Sequence, residues 1–461
     1  MNLFYNPYFI IKTLKSYIFE INRLKKFSES ELRRYQNKKL RKIVKHAFSV
    51  KLYHDKYKKM ALSPEDIKVL EDIEKLPFIT RKDIKEYYPD GVISSYSNKK
   101  DLISVSTSGT TGDSLTFYSE MFEFVLWLFW YIRVLRDHNI NWRNDQLTII
   151  ADFAPNTIAS GYISKNFNNY FKNNRFFSNI QWLNTNDRPE KIIDEINNFN
   201  PDFLGGYVGM LSHLALLKDK GKGKNINPKS IATIGSVLTS PLRKLLESVF
   251  CSEVFEVYGA TESGTIAYQC NKNKKYHIMS DLVHPEFIKE DKPVKANEPG
   301  KIVITKLYGK GTPFIRYKGL SDLVIPDKSR CSCGTPGLNI KKILGRDDLA
   351  LFFSDGRILL PVSISEIHGR ILYELRTNMV RHTRIVQPDE KHIEISLVLD
   401  KEKKKDGVTS SEIFSILRKG YHDKIGDDVE ITIKEVNKVK KGEQRIVSYM
   451  DKERFEIKEY I

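Results

Sequence analysis

The stretch from Ile231 to Gly264 constrains the fold of this chain more than any other. Ile231-Ala-Thr-Ile-Gly-Ser-Val-Leu238 reads as a strand, Ser240 to Phe250 carries apolar residues at helical spacing, and Glu253-Val-Phe-Glu-Val-Tyr-Gly-Ala-Thr-Glu-Ser-Gly264 returns to strand character before a glycine-bounded turn. A strand, helix, strand unit belongs to an α/β sheet. Open sheets of this kind take ligands at the carboxyl ends of their strands, where Thr261 and Glu262 stand here. Similar alternation recurs upstream, with strands at Leu147-Thr-Ile-Ile150 and Phe203-Leu204 and helices over Pro189 to Phe199 and Tyr207 to Lys218. The expectation is a large multi-layer α/β body, with Lys218 to Lys229 as a surface connection. Phe122 to Val134 is apolar but interrupted by charge and too short to cross a bilayer, so it reads as a buried helix. Ser28 to Lys59 is helical by its period, and Thr80 with Asp83 forms a capping-box-like helix start.

A second stretch carries chemistry. Ser106-Thr-Ser-Gly-Thr-Thr-Gly-Asp113 lies between the strand-like runs Leu102-Ile-Ser-Val105 and Leu115-Thr-Phe-Tyr118. Its hydroxyls are donors, and Gly109 and Gly112 let backbone approach an anion closely. It lacks the Gly-Lys-Ser/Thr ending and the following helix of a Walker loop. Composition alone leaves two readings, a phosphate cradle or a solvated turn. Glu262 poses the same choice: a carboxylate holding Mg²⁺ against phosphate oxygens, or an exposed residue of an ordinary turn.

The formal charge of +17 comes mostly from scattered lysines. No nucleic-acid motif accompanies them, so they read as a solvated surface and no nucleic-acid partner is expected. Four cysteines in 461 residues make no secreted disulfide framework, and no signal peptide is evident, which points to the cytoplasm. Met1 to Phe27 mixes Phe, Tyr, Ile and Leu with Lys and Arg. It is either a helix packed on its own domain or an amphipathic one making peripheral contact with an anionic membrane. Cys270, His277, Cys331 and Cys333 form two spaced pairs whose donors suit tetrahedral Zn²⁺ in a structural role; buried reduced thiols are the alternative. Cys251 reads as core.

Taken together, Ser106 to Asp113, Tyr258-Gly-Ala-Thr-Glu262, Phe314-Ile-Arg-Tyr-Lys-Gly-Leu-Ser-Asp322 and Leu344-Gly-Arg-Asp-Asp348 resemble, in order, the motifs of adenylate-forming enzymes. The early Leu76-Pro-Phe-Ile-Thr-Arg-Lys-Asp83 and the segment Pro201-Asp-Phe-Leu-Gly-Gly-Tyr207 resemble the branch holding phenylacetate-CoA ligases and proteins of capsular polysaccharide biosynthesis. The resemblance covers nearly the whole length. It implies that Thr107, Ser108, Gly109, Thr110, Thr111 and Gly112 wrap the phosphates of ATP. It implies that Glu262, beside Thr261, takes Mg²⁺. Tyr258 then stacks near adenine with Glu256, Val257 and Gly259 alongside, and Asp322 accepts the ribose hydroxyls. Arg346 falls at the junction of two domains, with Asp347 or Asp348 as hinge. Some relatives in this branch carry Cys and His at places matching the four zinc candidates.

The implied division is an adenylation body over 1–345 and a mobile lid over 346–461. From Leu349 onward the periods alternate in a small domain: Ala350 to Phe353, a helix around Val362 to Leu375, strands Thr383 to Val386 and His392 to Leu399, a helix Ser410 to Lys424 and a strand Val429 to Val436. That pattern suggests a ferredoxin-like α+β unit. One departure stands near the end. Where the family carries a lysine after glycine, Val439-Lys-Lys-Gly-Glu-Gln-Arg445 has Glu443, so Lys441 or Lys440 is the candidate to reach the adenylate.

The leading expectation is an ATP-dependent ligase that makes an acyl-adenylate from a small-molecule carboxylate and passes the acyl group to an amine or a thiol such as CoA, with a link to surface polysaccharide. An aryl-CoA ligase is the second reading, and a catalytically impaired nucleotide-binding protein, motivated by Glu443, is the third. Trp127, Phe153, Tyr207 and Gly235 are expected around the acid. The sequence does not give the oligomeric state.

Overall fold

A computed structural model of the chain describes residues 6–107, 114–163, 178–346, 349–400, 407–440, 443–450 and 459–461. Five parallel strands form one half of a large sheet: β3 (Leu147–Ala151), β4 (Ile180–Asn184), β5 (Phe203–Tyr207), β6 (Ser230–Ile234) and β7 (Glu253–Ala260), in the order β7-β6-β5-β3-β4. Their near-continuous burial, Phe203 to Gly206 being wholly inside, is what parallel strands covered on both faces require. The connecting helices Pro189–Phe199, Val208–Asp219 and Ser240–Phe250 supply that cover through Ile193, Leu211, Leu245 and Phe250.

The other half is antiparallel. It contains β8 (Gly264–Gln269), β9 (Tyr276–Ile278), β10 (Val283–Lys289), β11 (Lys292–Pro293), β12 (Gly300–Lys306), β13 (Asp322–Asp327) and β14 (Asn339–Arg346), running outward as β8-β9-β14-β13-β12-β10-β11. β7 belongs to both halves. Its Glu253 to Glu256 pair in parallel with β6, and its Val257 to Ala260 pair antiparallel with β8, so the Tyr258–Glu262 turn stands where the sheet changes character.

On the amino-terminal side lie α1 (Pro7–Glu20), α2 (Arg23–Lys26), α3 (Glu29–Ala47), α4 (Lys51–Lys59), α5 (Arg81–Tyr87) and α6 (Met121–Asp137). Capping boxes open α3 at Ser28 and α5 at Thr80, where each hydroxyl accepts the third backbone N–H and the acid there reaches back. α6 is buried almost all round, as the apolar run Phe122 to Val134 requires. Its two buried charges are both paired: Glu123 with Lys306 at 2.8 Å, and Arg133 with Asp281, also at 2.8 Å. β1 (Leu102–Ser106) and β2 (Thr116–Glu120) make a separate hairpin.

After residue 350 the chain builds small sheets of its own. The strands Leu351–Phe352, Arg357–Leu359 and Glu459–Tyr460 form one; Val380–Asp389, His392–Leu399, Glu430–Glu435 and Ile446–Ser448 form a mixed four-stranded second. The helices Pro361–Glu374 and Ser410–Ile425 enclose a core of Ile367, Ile395, Leu417 and Tyr421 with that second sheet. This small α+β unit rests on the larger body where Gly369 meets Thr239 and Leu242 of the Ser240–Phe250 helix and its cap. The fold is therefore the expected large α/β body with a small α+β carboxyl-terminal unit. One expectation fails: Cys251 is exposed, not core. It caps the Ser240–Phe250 helix in the left-handed region at φ +52°, which turns its side chain off the helix's apolar face.

Candidate active site

Thr107 stands at the mouth of the β1–β2 hairpin. Its N–H donates to Leu115 O at 2.9 Å and its Oγ1 accepts from Leu115 N at 2.9 Å, so the base of the loop is clamped shut. The rest of the expected cradle, Ser108, Gly109, Thr110, Thr111 and Gly112, lies outside the described residues. Arg81, in the first turn of α5, donates from Nη2 to Thr107 Oγ1 at 3.3 Å, and its Nη1 lies 3.6 Å from Glu262 Oε1. Tyr317 donates its hydroxyl to the same Glu262 oxygen at 3.1 Å. Three segments far apart in sequence thus meet at one carboxylate.

Glu262 is buried, not exposed. Burial pushes its carboxyl above the usual range, while its own backbone N–H, Arg81, Tyr317 and Arg346 oppose that shift. Two glycines set its turn. A Cβ at Gly259 would meet Gly264 O at 2.8 Å, and Gly264 itself takes φ +66° with the Trp127 indole where a Cβ would sit. Trp127 is fixed in turn by donating Nε1 to Tyr308 Oη at 2.8 Å.

One step along β7, Tyr258 donates its hydroxyl to Asp322 Oδ2 at 2.7 Å. Asp322 pairs in register with Arg346 across β13 and β14, so Tyr258, Asp322 and Arg346 form a second group beside Glu262. Burial, then Asp322 and Glu262, push the Tyr258 phenol well above its ordinary value, and Arg346 pulls the other way. The remaining expected contacts are committed elsewhere in the fold. Val257 is buried in the main core. The Glu256 carboxylate accepts from Leu238 N at 2.9 Å, Tyr276 Oη at 2.6 Å and Arg243 Nη2 at 3.1 Å, which locks the turn before the Ser240–Phe250 helix onto β7. Lys441, Asp347 and Asp348 lie outside the described residues, whereas Glu443 pairs with Arg384 at 3.3 Å.

Among the expected acid-pocket residues, the Tyr207 ring packs against Gly235, where a Cβ would stand 2.5 Å from it, and Trp127 underlies the Glu262 turn. Phe153 packs with Trp182. The residue that sequence reasoning missed is Arg81: its neighbours Thr80 and Asp83 gave a capping signal, but nothing local pointed its guanidinium at Glu262.

The four metal candidates come together. Their ligand atoms all lie within 4.8 Å of one another, with Cys270 Sγ to Cys331 Sγ at 3.7 Å and Cys333 Sγ to His277 Nε2 at 3.1 Å. Sheet order explains it, because β8, β9 and β14 are neighbours and the cysteines flank them. A tetrahedron with Zn–S near ~2.3 Å has S···S edges of about 3.8 Å, so the donor set fits. Asn339 Oδ1 lies 2.9 Å from His277 Nδ1 while Asn339 Nδ2 donates to Ser329 O at 2.9 Å; that leaves Nδ1 to donate and Nε2 to present a lone pair to the thiols.

No family model matches the chain. It is 24% identical over 352 residues to the phenylacetate-coenzyme A ligase of Pseudomonas putida, covering 74% of this chain and 76% of that one. It is 23% identical over 396 residues to Protein CapK of Staphylococcus aureus, covering 86% and 84%. Among solved structures, 2-hydroxyisobutyryl-CoA ligase in its postadenylation state, with an adenylate bound, overlays with a TM-score of 0.69 at 16% identity, over 91% of this chain and 90% of that one. The same ligase in the thioesterification state, with 2-HIB-AMP and CoA, overlays at 0.61. The chain thus has the fold of 2-hydroxyisobutyryl-CoA ligase, and by sequence it is similar to phenylacetate-CoA ligases and to CapK.

Proposed function

We propose that the protein activates a small-molecule carboxylate with ATP at the cleft framed by Thr107, Arg81, Glu262, Tyr258, Asp322 and Arg346, and then transfers the acyl group to a thiol or an amine. The observation that carries this reading is the convergence of the β1–β2 hairpin, α5, the Tyr258–Glu262 turn and the β13–β14 pair on one group of charges. The substrate carboxylate attacks the α-phosphorus of ATP, an acyl–O–P bond forms, and pyrophosphate leaves. Arg81 spans the cradle and the Glu262 carboxylate, so its fixed charge faces the departing phosphates. Asp322, oriented by Tyr258, is placed for the ribose, and Arg346 faces the charge that develops at the reacting phosphorus. Glu262 and Thr261 would hold Mg²⁺, which supplies electrostatic stabilisation of phosphate oxygens when bound. Drawing a buried carboxylate into its ionised form requires just such added positive charge.

The proposed division is a body over 1–345 and a lid over 346–461. A core of its own after residue 350 supports the smaller unit, which meets the body through Gly369 on Thr239 and through Leu372 and Tyr373 packed on the apolar cluster of the Ser240–Phe250 helix. A structural zinc at Cys270, His277, Cys331 and Cys333 would pin the β8–β9 turn to the segment before β14. Free thiols and the demand for ATP support a cytoplasmic site of action.

Pyrophosphate release measured with phenylacetate, hexuronates and amino acids, each with and without CoA, tests the reading. CoA-dependent turnover of phenylacetate selects the aryl-CoA ligase; turnover of a hexuronate or amino acid without CoA selects an amine acceptor. The Glu443–Arg384 pair, standing where a lysine is expected, favours one further reading, a protein that binds nucleotide without chemistry. Measurable ATP affinity with no pyrophosphate exchange on any of these acids selects it.

A further inference from the structure

Eleven large hydrophobic side chains stand exposed among the described residues, and six of them sit on α1: Tyr8, Ile10, Ile11, Leu14, Ile18 and Phe19, from 41% to 75% exposed. The other five are scattered over the chain at Met60, Tyr88, Tyr96, Ile234 and Tyr449. At 100° per residue the six fall on one continuous arc of the helix. The opposite arc holds the side chains that fasten α1 to α6. Phe9 packs edge-on against Phe122, Tyr17 packs against Phe129 and Trp142, and Lys12 lies over the Phe122 ring at 3.6 Å. The end of α1 is pinned from below, because Arg133 donates to the Glu20 and Ile21 carbonyls at 2.7 and 2.8 Å. α1 is therefore a fixed rail with its apolar side outward, which a helix serving only its own core does not need.

Charge decides what covers that side. Lys12, Lys15, Arg23, Lys25 and Lys26 are the cations of residues 6–27, against the single acid Glu20, which is held by Arg23 at 2.9 Å. Lys15 lies within the apolar arc itself. Lys25 is paired with Asp137 behind the rail, and Glu120 lies on the buried side near Lys12. A second copy would bring the same cations together in a chain whose formal charge is +17, which opposes self-association through this face. No helix among the described residues is long and apolar enough to cross a membrane, so a rail of this kind lies along an interface and does not span it. We propose that the outward face of α1 docks the protein onto a lipid bilayer with anionic headgroups, the apolar arc entering the headgroup boundary and the lysines meeting lipid phosphates. The inference is independent of which acid the enzyme activates.

The test is flotation of the full-length protein with vesicles of phosphatidylcholine alone or of phosphatidylcholine mixed with phosphatidylglycerol, at low and high salt. Binding is expected on the anionic vesicles, weakened by salt, and lowered about tenfold or more by Ile11→Glu combined with Ile18→Glu, and less by Lys15→Glu. Those exposed positions touch no core, so thermal midpoint and pyrophosphate release stay unchanged and report an intact fold. Equal recovery on neutral and anionic vesicles, or none on either, overturns the proposal. So does sedimentation analysis in which the wild type forms a dimer that the double substitution disperses, because the face then belongs to a second copy.

Discussion

Replacing Cys331 by Ser removes one of four donors from the proposed metal tetrahedron and tests it with a magnitude the fold supplies. Cys270 and Cys331 are 61 residues apart, and tying them through one ion restricts the unfolded chain by about 4 kcal/mol on the loop-closure scale used for cross-links. Unfolding entropy near 2.1 cal/mol/K per residue over 461 residues turns that into a fall in midpoint of about 4 °C. Preferential binding of the ion to the folded form adds to this figure. As purified without chelator, the wild type should carry one zinc per chain by elemental analysis. Cys331→Ser should lose it and melt at least about 4 °C lower, while Cys251→Ser, exposed and remote from the donors, should keep both metal and midpoint. Cobalt in place of zinc should show the thiolate charge-transfer and tetrahedral d–d bands in the wild type alone. A metal-free wild type whose midpoint Cys331→Ser leaves unchanged refutes the tetrahedron and leaves three reduced thiols beside a histidine.

Glu262→Gln should cut Mg²⁺-dependent pyrophosphate exchange by about a hundredfold or more. The same substitution should gain thermal stability relative to wild type as pH rises: the folded carboxyl titrates above 4.5, so its contribution is complete at acid pH and lost as the buried group ionises. Melts of both proteins from pH 4.5 upward check this, and a difference that is flat or of opposite sign with pH contradicts the burial argument. Arg81→Ala should lower exchange by about tenfold or more, with Arg81→Lys recovering part of it, since a point charge reaches only one of the two partners Thr107 and Glu262; full activity in Arg81→Ala would remove Arg81 from the site. Arg133→Ala should cost about 3–5 kcal/mol in urea unfolding because Asp281 stays buried without its partner, and adding Asp281→Leu should restore most of that loss.

What was legible in the sequence was local. The helix Ser240–Phe250 and the strand His392–Leu399 begin and end where their periodicities do, and the cap at Thr80 marks a helix start correctly, while the helical stretch Ser28 to Lys59 is two helices, Glu29–Ala47 and Lys51–Lys59. The site was legible as turns, and the clustering of Thr107, Glu262, Tyr258 and Asp322 agrees with their ordered motifs. Long-range matters were not. No local signal says that β7 is parallel on one edge and antiparallel on the other, or that Arg81 reaches Glu262 from α5. Glu256 illustrates the limit well: two residues before Tyr258, which bonds Asp322, it locks a turn, and only the pairing with Leu238, Tyr276 and Arg243 reveals this. Cys251 was misplaced because burial there depends on one left-handed residue after a helix. The amino-terminal helix kept two readings open, since its period is the same whichever side meets the protein.

The pinched turn between Gly259 and Gly264 has a consequence for how this chain can vary. With carbonyl oxygen on one flank and an indole on the other, the main-chain path of the turn that carries Glu262 is fixed by what surrounds its two glycines. A single methyl group at either glycine would lever the carboxylate away from Arg81 and Tyr317 without altering any charged residue. In the proposed site, diversity in the acid accepted would then fall to residues outside this turn, whose two glycines leave no room for a side chain.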